Sequence, residues 1–225
     1  MIKKSTLYES ISQCDLVIEA VFEDIELKKT IFHNLDKLCK PESILATNTS
    51  TLDVDEIAAS TNRPERILGL HFFSPANVMK LLEIVKHDSC SNNTIEAAQS
   101  IAESMGKESI LVNDIPGFAT SRLGVVLGNE AIRMLADGVA SASDIDTAMR
   151  LGYRHPMGPL ELTDLVGLDI RRDILNNLAD SFNDEKYRPH PLLVRLVNEG
   201  SLGKKSGTGI YDWSSGEREE RDLKL

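Results

Sequence analysis

The chain has 225 residues, about one and a half times the size of a typical domain, which predicts one complete globular core and part of a second. Its formal net charge of −10 disfavours contact with phosphate backbones and anionic lipid, so neither nucleic acid nor a membrane surface is expected as a partner. No apolar run approaches the roughly 20 residues that a membrane-spanning helix requires.

The three cysteines, Cys14, Cys39 and Cys90, are an odd number without Cys-x-x-Cys spacing. This favours reduced, packed thiols in the cytoplasm over a disulfide framework or a zinc site. The polar residues after Met1 do not form the apolar part of a secretory signal, which agrees with a cytoplasmic location. We expect no metal site, because four of the histidines are predicted on surfaces or turns without carboxylates at ligand spacing: His33, His87, His155 and His190.

The first half of the chain alternates strand and helix patterns. A β-branched run at 15–22 predicts a buried strand, and apolar residues three and four apart predict a helix over 25–38. A strand at 43–47 then leads through a polar turn into a short amphipathic segment. The remaining predicted elements are strands at 66–72, 81–86 and 109–113 and a helix at 93–105. The alternation predicts an α/β fold with an open sheet that becomes mixed near one end.

The pattern becomes almost wholly helical after Pro116. Helices are predicted over 118–137, 143–150, 159–182 and 190–199, with Pro159 in a first turn. We therefore expect a partial α/β domain at 1–115, an all-α domain at 116–213, and a charged tail at 214–225 that frays. The polar pair Thr163-Asp164 is expected either on the surface of a helix or in a dimer interface.

A histidine and an acid occupy two consecutive predicted strands. His71 lies at the end of one strand, and Glu83 follows 12 residues later on the next. If the strands are neighbours, Glu83 can hold one ring nitrogen of His71 and leave the other free to exchange a proton near neutral pH. One such pair taken alone is more often structural, so the spacing by itself leaves both interpretations open.

Ordered sequence blocks around this pair resemble the L-3-hydroxyacyl-CoA dehydrogenase family, including its 3-hydroxybutyryl-CoA members. The blocks are 17–23, 48–50, 69–83, 114–118, 154–164 and 203–211, and the resemblance runs from about Asp15 to Trp213. It implies an amino-terminal NAD-binding Rossmann domain and a carboxy-terminal helical domain that commonly forms the dimer. It also implies NAD-dependent interconversion of L-3-hydroxyacyl-CoA and 3-ketoacyl-CoA in fatty-acid or butyrate metabolism.

The resemblance implies roles for individual residues. His71 matches the catalytic histidine, which takes the proton of the 3-hydroxyl group, and Glu83 matches the acid that orients it. Ser50 matches a serine that reaches both cofactor and substrate, although a helix N-cap is an equally natural role for it. The matches to NAD-contacting positions are Ala20, Glu23, Lys28, Asn48 and Lys205. Without the resemblance, Glu23 and Lys28 would be interpreted as exposed charges.

Two substrate-binding positions depart from the family pattern. Ser74 and Ser121 stand where many members have asparagine. Serine is shorter and lacks the amide, so a water molecule or the nearby Asn77 would have to hold the oxygen concerned. We expect an altered substrate preference or a lower turnover.

No Gly-x-Gly-x-x-Gly segment follows an opening strand in these 225 residues, and in the family that loop precedes the point where this sequence begins. We therefore expect an incomplete Rossmann sheet. The first hypothesis is a dehydrogenase whose cofactor loop is supplied by an upstream segment or a second polypeptide. The alternative is an N-terminally truncated, catalytically silent remnant that keeps the dimerisation domain and part of the active site. A third candidate, a dehydrogenase of the 3-hydroxyisobutyrate type, lacks the His-Phe-Phe-x-Pro block found here.

Overall fold

The computed structural model describes residues 3–224 and divides into two compact units, one ending at Phe118 and the other starting at Ala119. The described part of the first unit contains a five-stranded sheet with its strands in chain order. The strands are β1 (Leu16–Glu19), β2 (Ile44–Thr47), β3 (Ile67–Phe72), β4 (Leu81–Lys86) and β5 (Glu108–Asn113). The first three are parallel, β4 is antiparallel to β3, and β5 is parallel to β4. The predicted mixed α/β sheet is confirmed.

Three helices cover the sheet: α1 (Ile25–Leu38), α2 (Val54–Ala58) and α3 (Asn92–Ser104). Side chains alternate between the two faces of a strand, so consecutive residues of β2 enter different cores. Leu45 packs with Phe32 of α1 and Ile57 of α2, whereas its neighbour Ala46 packs with Ala98 and Ala102 of α3. The sheet is therefore buried on both faces, and its carboxyl-terminal edge holds the polar residues described below.

The second unit is helical, as predicted. Its helices are α4 (Thr120–Ala136), α5 (Ala142–Gly152), α6 (Pro159–Val166), α7 (Leu168–Phe182) and α8 (Pro191–Asn198). A single apolar core joins them, with Ile132 of α4, Leu160 of α6 and Leu193 of α8 completely buried. Pro159 occupies the first turn of α6, where its missing N–H carries no cost.

The single helix predicted over 159–182 is wrong, because Gly167 separates α6 from α7. Gly167 has a φ of +110°, which an L side chain rarely adopts. A Cβ at this position would also lie 3.0 Å from Lys205 Nζ. The apolar periodicity continues across the break, so it conceals the interruption.

The prediction that Thr163 and Asp164 lie on a surface or in a dimer interface is also wrong, because both are completely buried. The Asp164 carboxylate accepts hydrogen bonds from Ile210 N (2.8 Å), Tyr211 N (2.9 Å) and Trp213 Nε1 (2.8 Å). A side chain at position Gly209 would collide with this carboxylate, because its Cβ would lie 2.2 Å from Asp164 Oδ1. The glycine-rich block 203–211 is thus fixed to α6 by one buried acid.

The charged tail does not fray as expected. Its backbone pairs Asp212 with Glu219 in both directions, at 2.9 and 3.0 Å. Arg218 Nη1 donates to Glu161 Oε2 at 2.6 Å and also reaches the buried carboxylate of Asp146 at 3.4 Å. Leu223 is buried in the helical core. The prediction from charge density was therefore wrong for this segment, because its charges are paired with residues of the helical unit.

The three cysteines are free thiols, with Cys39 buried and Cys14 and Cys90 partly buried. Within residues 3–224 the structure contains no group of three or more side chains that could hold a metal ion. No helix in that range is both long and apolar enough to cross a bilayer.

Candidate active site

The centre of the site is an antiparallel cross-strand pair. In the register between β3 and β4, His71 stands directly opposite Glu83. Residues opposite each other on antiparallel strands have their side chains on the same face. His71 Nδ1 lies 2.7 Å from Glu83 Oε2, with side-chain exposures of 7% and 0%. The carboxylate accepts the Nδ1 proton, which leaves the lone pair of the neutral ring on Nε2.

Two aromatic rings restrict the imidazole further. The ring of Phe73 lies 4.7 Å from that of His71, centroid to centroid, and the ring of Phe118 lies 5.8 Å away in an edge-on arrangement. Phe118 also packs with Val54 and Val85, so it belongs to a small apolar cluster of its own. The ring of His71 is therefore held by one carboxylate and two aromatic side chains, which fixes the direction of Nε2.

The polar turn after β2 supplies the partner of Nε2. Asn48 Oδ1 accepts the Phe72 amide at 2.8 Å and so joins the ends of β2 and β3. Two residues later, Ser50 Oγ lies 3.1 Å from His71 Nε2. The alternative role of Ser50 as a helix N-cap is wrong, because Asp53 caps α2 by accepting from Glu56 N.

Glu23 holds the Ser50 turn in place, and its side chain is 40% exposed. Glu23 Oε1 accepts the amides of Ser50 (2.9 Å) and Thr51 (3.3 Å), together with the hydroxyl of Thr49. One carboxylate oxygen therefore accepts hydrogen bonds from several donors of a single turn. Glu23 is exposed, as expected without the resemblance, and it also holds the Ser50 turn through these hydrogen bonds.

The interpretation of Lys28 as a surface residue is wrong, since its side chain is 1% exposed. The buried residues of α1 are Lys28, Phe32 and Leu35. Lys28 Nζ lies 2.7 Å from Oε1 of the buried Glu19 and 3.5 Å from Glu23 Oε2. The ammonium is therefore desolvated and paired.

The other residues singled out by sequence occupy varied surroundings. Ala20 follows β1 and is exposed, and Ser74 is exposed beyond the end of β3. In the second unit, Ser121 is half-buried in the first turn of α4, and Lys205 Nζ lies 2.6 Å from Asp169 Oδ1. These two belong to a different compact unit from His71.

His87 is buried, contrary to the surface or turn position expected for it. Its Nδ1 lies 3.0 Å from Asp55 Oδ1, and its Nε2 lies 3.1 Å from the Ile67 carbonyl. A carboxylate and a main-chain oxygen account for both nitrogens, so His87 links α2 to the sheet.

Two acids, Asp53 and Asp114, lie close together at the start of α2. Asp114 Oδ2 accepts the amide of Asp55 at 2.8 Å. Burial, reinforced by the nearby charge of Asp53, raises the pKa of Asp114 to about 6. The block 114–118 thus contributes an acid that anchors α2 as well as the Phe118 ring beside His71.

Sequence reasoning missed Glu19, Phe73 and Phe118 as parts of this site. A signal for Glu19 did exist, because an acid inside a β-branched strand pattern is costly unless it is paired. Lys28 is separated from Phe32 and Leu35 by helical intervals, so its place on the buried stripe could also have been noticed. The assembled site can exchange a proton at His71 Nε2 and donate a hydrogen bond from Ser50 Oγ.

Comparisons with known proteins agree with this geometry. Residues 1–115 match the model of the 3-hydroxyacyl-CoA dehydrogenase NAD binding domain, and residues 117–213 match that of the 3-hydroxyacyl-CoA dehydrogenase C-terminal domain. The chain is 45% identical over 213 residues to a 3-hydroxybutyryl-CoA dehydrogenase of Clostridioides difficile, covering 95% of this chain and 76% of the relative. A probable 3-hydroxybutyryl-CoA dehydrogenase of Bacillus subtilis is 46% identical, with coverages of 93% and 73%.

Among solved structures, the (S)-3-hydroxybutyryl-CoA dehydrogenase PaaH1 from Ralstonia eutropha superposes with a TM-score of 0.89 at 39% identity, over 92% of this chain and 74% of that one. These matches confirm the resemblance stated from the sequence blocks, and with it NAD as the cofactor. This chain belongs to the 3-hydroxyacyl-CoA dehydrogenase family of NAD-dependent oxidoreductases.

Proposed function

We propose that His71, Glu83 and Ser50 carry out the proton transfer that accompanies oxidation of an L-3-hydroxyacyl-CoA to a 3-ketoacyl-CoA. The observation that carries the proposal is the pairing of His71 Nδ1 with the Glu83 carboxylate at 2.7 Å, combined with a Ser50 hydroxyl 3.1 Å from Nε2. A carboxylate on one nitrogen and a hydroxyl on the other suit an imidazole that acts as a general base.

The chain's own residues account for each proton. Nε2 of the neutral His71 accepts the proton of the 3-hydroxyl group as the carbon–oxygen bond becomes a carbonyl. Bound NAD would supply the acceptor for the hydride that leaves C3. Glu83 stabilises the imidazolium that results, and Ser50 Oγ donates a hydrogen bond to the substrate oxygen. In the reverse direction, protonated His71 returns the proton to the 3-keto oxygen.

The described residues fit a nicotinamide cofactor at the carboxyl-terminal edge of β1 and β2. Ligands of open α/β sheets bind outside this edge. Ala20 is exposed there and offers only a methyl group, and the ring of Phe22 is 86% exposed. We propose that Ala20, Glu23 and Asn48 hold the cofactor. Lys28 contributes through its neighbours because its ammonium is buried, and Lys205 is the candidate from the second unit.

The substrate is an acyl-CoA, and we propose 3-hydroxybutyryl-CoA, the acyl group in the printed names of the two relatives described above. A 3-hydroxyadipyl-CoA dehydrogenase of Escherichia coli is also 41% identical, over 93% of this chain and 44% of that protein. Turnover of the two substrates by one preparation would separate these assignments. Ser74 and Ser121 are the proposed substrate-binding positions, and we expect their exchange for asparagine to change the preference between acyl groups.

We further propose a homodimer formed through the helical unit and located in the cytoplasm. The helical unit exposes large apolar side chains that a second copy would cover, including Leu123 at 72%, Leu151 at 79%, Leu165 at 50% and Ile170 at 44%. The free thiols agree with a reducing compartment. Sedimentation velocity of the Leu165→Glu variant tests the interface, because a charge there should shift the protein to monomer. An unchanged dimer would place the interface elsewhere.

The central experiment replaces His71 with Gln and follows reduction of acetoacetyl-CoA by NADH. Loss of a general acid–base residue costs roughly 100- to 10,000-fold in turnover, so we expect a fall within that range and nearly unchanged NADH binding. His33→Gln is the matched control, since His33 is exposed on α1 and its replacement should leave turnover unchanged. Turnover of His71→Gln within threefold of the parent would remove His71 from its proposed role.

A further inference from the structure

A continuous series of charged contacts leads from the end of β1 to the turn that carries Ser50. It begins at Glu19, passes through the Lys28 ammonium at 2.7 Å, and continues to Glu23 Oε2 at 3.5 Å. The other oxygen of Glu23 accepts the amides of Ser50 and Thr51. Glu23 is 40% exposed, whereas Lys28 and Glu19 are almost completely buried, at 1% and 2%.

Three oxygen atoms surround the Lys28 ammonium. A protonated lysine has three N–H donors. Nζ of Lys28 has three oxygen neighbours, namely Glu19 Oε1, Glu23 Oε2 and the Val21 carbonyl at 3.4 Å. A side chain that is 1% exposed and surrounded in this way acts on the protein's own carboxylates and not on a phosphate of a ligand.

Glu19 fixes the ammonium to two strands at once. Its Oε1 accepts from Val21 N at 2.6 Å in addition to Lys28, and its Oε2 accepts from Thr47 Oγ1 at 2.8 Å. Glu19 and Thr47 are register partners in the parallel pair of β1 and β2. The position of the Lys28 charge is thus set by the sheet itself.

We propose that Glu19 and Lys28 are positioning residues for Ser50, acting through the Glu23 carboxylate. The Lys28 ammonium directs the Glu23 carboxylate at the Ser50 turn, and the Glu23 oxygen then fixes the amides of Ser50 and Thr51. This inference rests on the proposed function, in which Ser50 Oγ contacts the substrate oxygen. It assigns Lys28 an effect on turnover that acts through Glu23.

The first test is amide hydrogen exchange at Ser50 and Thr51 in Lys28→Met, followed by NMR. Methionine has a similar length and no charge, so Glu23 loses the contact that holds it. Without this ion pair, the hydrogen bonds that Glu23 accepts from Ser50 N and Thr51 N should weaken, and exchange at both amides should accelerate by about tenfold. Turnover should fall while the KM for acetoacetyl-CoA stays within about twofold, because the CoA contacts are untouched. Unchanged exchange at both amides would overturn the inference.

The double variant Glu19→Gln/Lys28→Met separates positioning from stability. The single Lys28→Met change leaves Glu19 buried without its cation, which destabilises the unit, whereas removing both charges should restore much of the unfolding midpoint. We expect Ser50 exchange to remain fast and turnover to remain low in the double variant. If slow Ser50 exchange and full turnover returned together with the unfolding midpoint, Glu19 and Lys28 would be a purely structural pair. That result would refute the positioning role.

Lys40→Met supplies the matched control. Lys40 forms an ion pair with Asp15 at 2.5 Å in the same unit, but Asp15 is 94% exposed and neither residue contacts the Ser50 turn. Its removal should change neither Ser50 exchange nor turnover. If Ser50 exchange accelerated as much in Lys40→Met as in Lys28→Met, the specific pathway through Lys28 would be refuted. Because exchange is measured without turnover, failure of His71 as the acid–base residue and failure of this inference give different results.

Discussion

Replacement of Glu83 by Gln isolates the contribution of one negative charge to catalysis. Glutamine keeps the shape of the side chain and retains a carbonyl oxygen for the His71 Nδ1 proton, which Glu83 now accepts at 2.7 Å. The change therefore removes the carboxylate charge and preserves a neutral hydrogen bond. In the proposed mechanism, His71 is neutral before proton transfer and positively charged after it, so loss of the Glu83 charge affects the charged state most.

The expected magnitude follows from Coulomb's law. Charges about 4 Å apart in an effective dielectric constant of about 20 attract by about 4 kcal/mol. The neutral hydrogen bond that remains recovers about 1 kcal/mol. The net loss of about 3 kcal/mol corresponds to a fall in turnover of roughly 100-fold, because each tenfold change is about 1.4 kcal/mol.

Steady-state reduction of acetoacetyl-CoA measures this effect, with NADH affinity by fluorescence titration as the check on folding and cofactor binding. Glu108→Gln makes the same chemical change at an exposed position on β5 and should leave turnover unchanged. Turnover of Glu83→Gln within threefold of the parent, at unchanged NADH affinity, would refute the electrostatic reasoning.

Three further predictions concern stability. Because the pKa of Asp114 is raised from 3.8 to about 6, the native state binds more protons than the unfolded state between these values, and the free energy of unfolding should fall as pH rises through this range. Guanidinium unfolding of Asp114→Asn should lack that fall, and an identical pH dependence would contradict the assignment. Asp164→Asn turns an amide N–H towards the donors held by the buried carboxylate and should cost about 2 to 4 kcal/mol in urea unfolding; a loss below about 0.5 kcal/mol would contradict it. Gly209→Ala should lower the thermal midpoint strongly because its methyl carbon meets Asp164 Oδ1 at 2.2 Å, whereas Gly152→Ala, with nothing within 4 Å, should not; equal midpoints would be inconsistent with this contact.

The pairing of His71 with Glu83 could be foreseen because it depends only on strand spacing. Two consecutive strands joined by a short loop are usually neighbours, and the residues that face each other then follow from the loop length. Helix boundaries were equally accessible: α1 begins after the Asp24 cap and ends before Pro41, close to the predicted limits. Both features are local in sequence, so one pattern was enough to specify each.

The contacts that fix the remaining groups are not local. The break at Gly167 becomes visible only when Lys205 is known to lie beside it. The Asp164 carboxylate serves donors 46 to 49 residues further along the chain. A sequence pattern reports the average environment of a face and not the partner of a single polar atom, so Asp164 was expected on a surface or in a dimer interface.

Buried charges serve different purposes in the two units. In the helical unit, the buried acid Asp164 receives main-chain amides and an indole N–H, partners that neither ionise nor move independently of the fold. At the carboxyl edge of the sheet, Glu83 faces the imidazole of His71 and Glu19 faces the ammonium of Lys28. A buried acid paired with the backbone specifies structure, whereas one paired with a titratable side chain couples its energy to proton transfer. In the proposed mechanism, the proton transfer takes place at a pair of the second kind, His71 and Glu83, at the edge of the sheet.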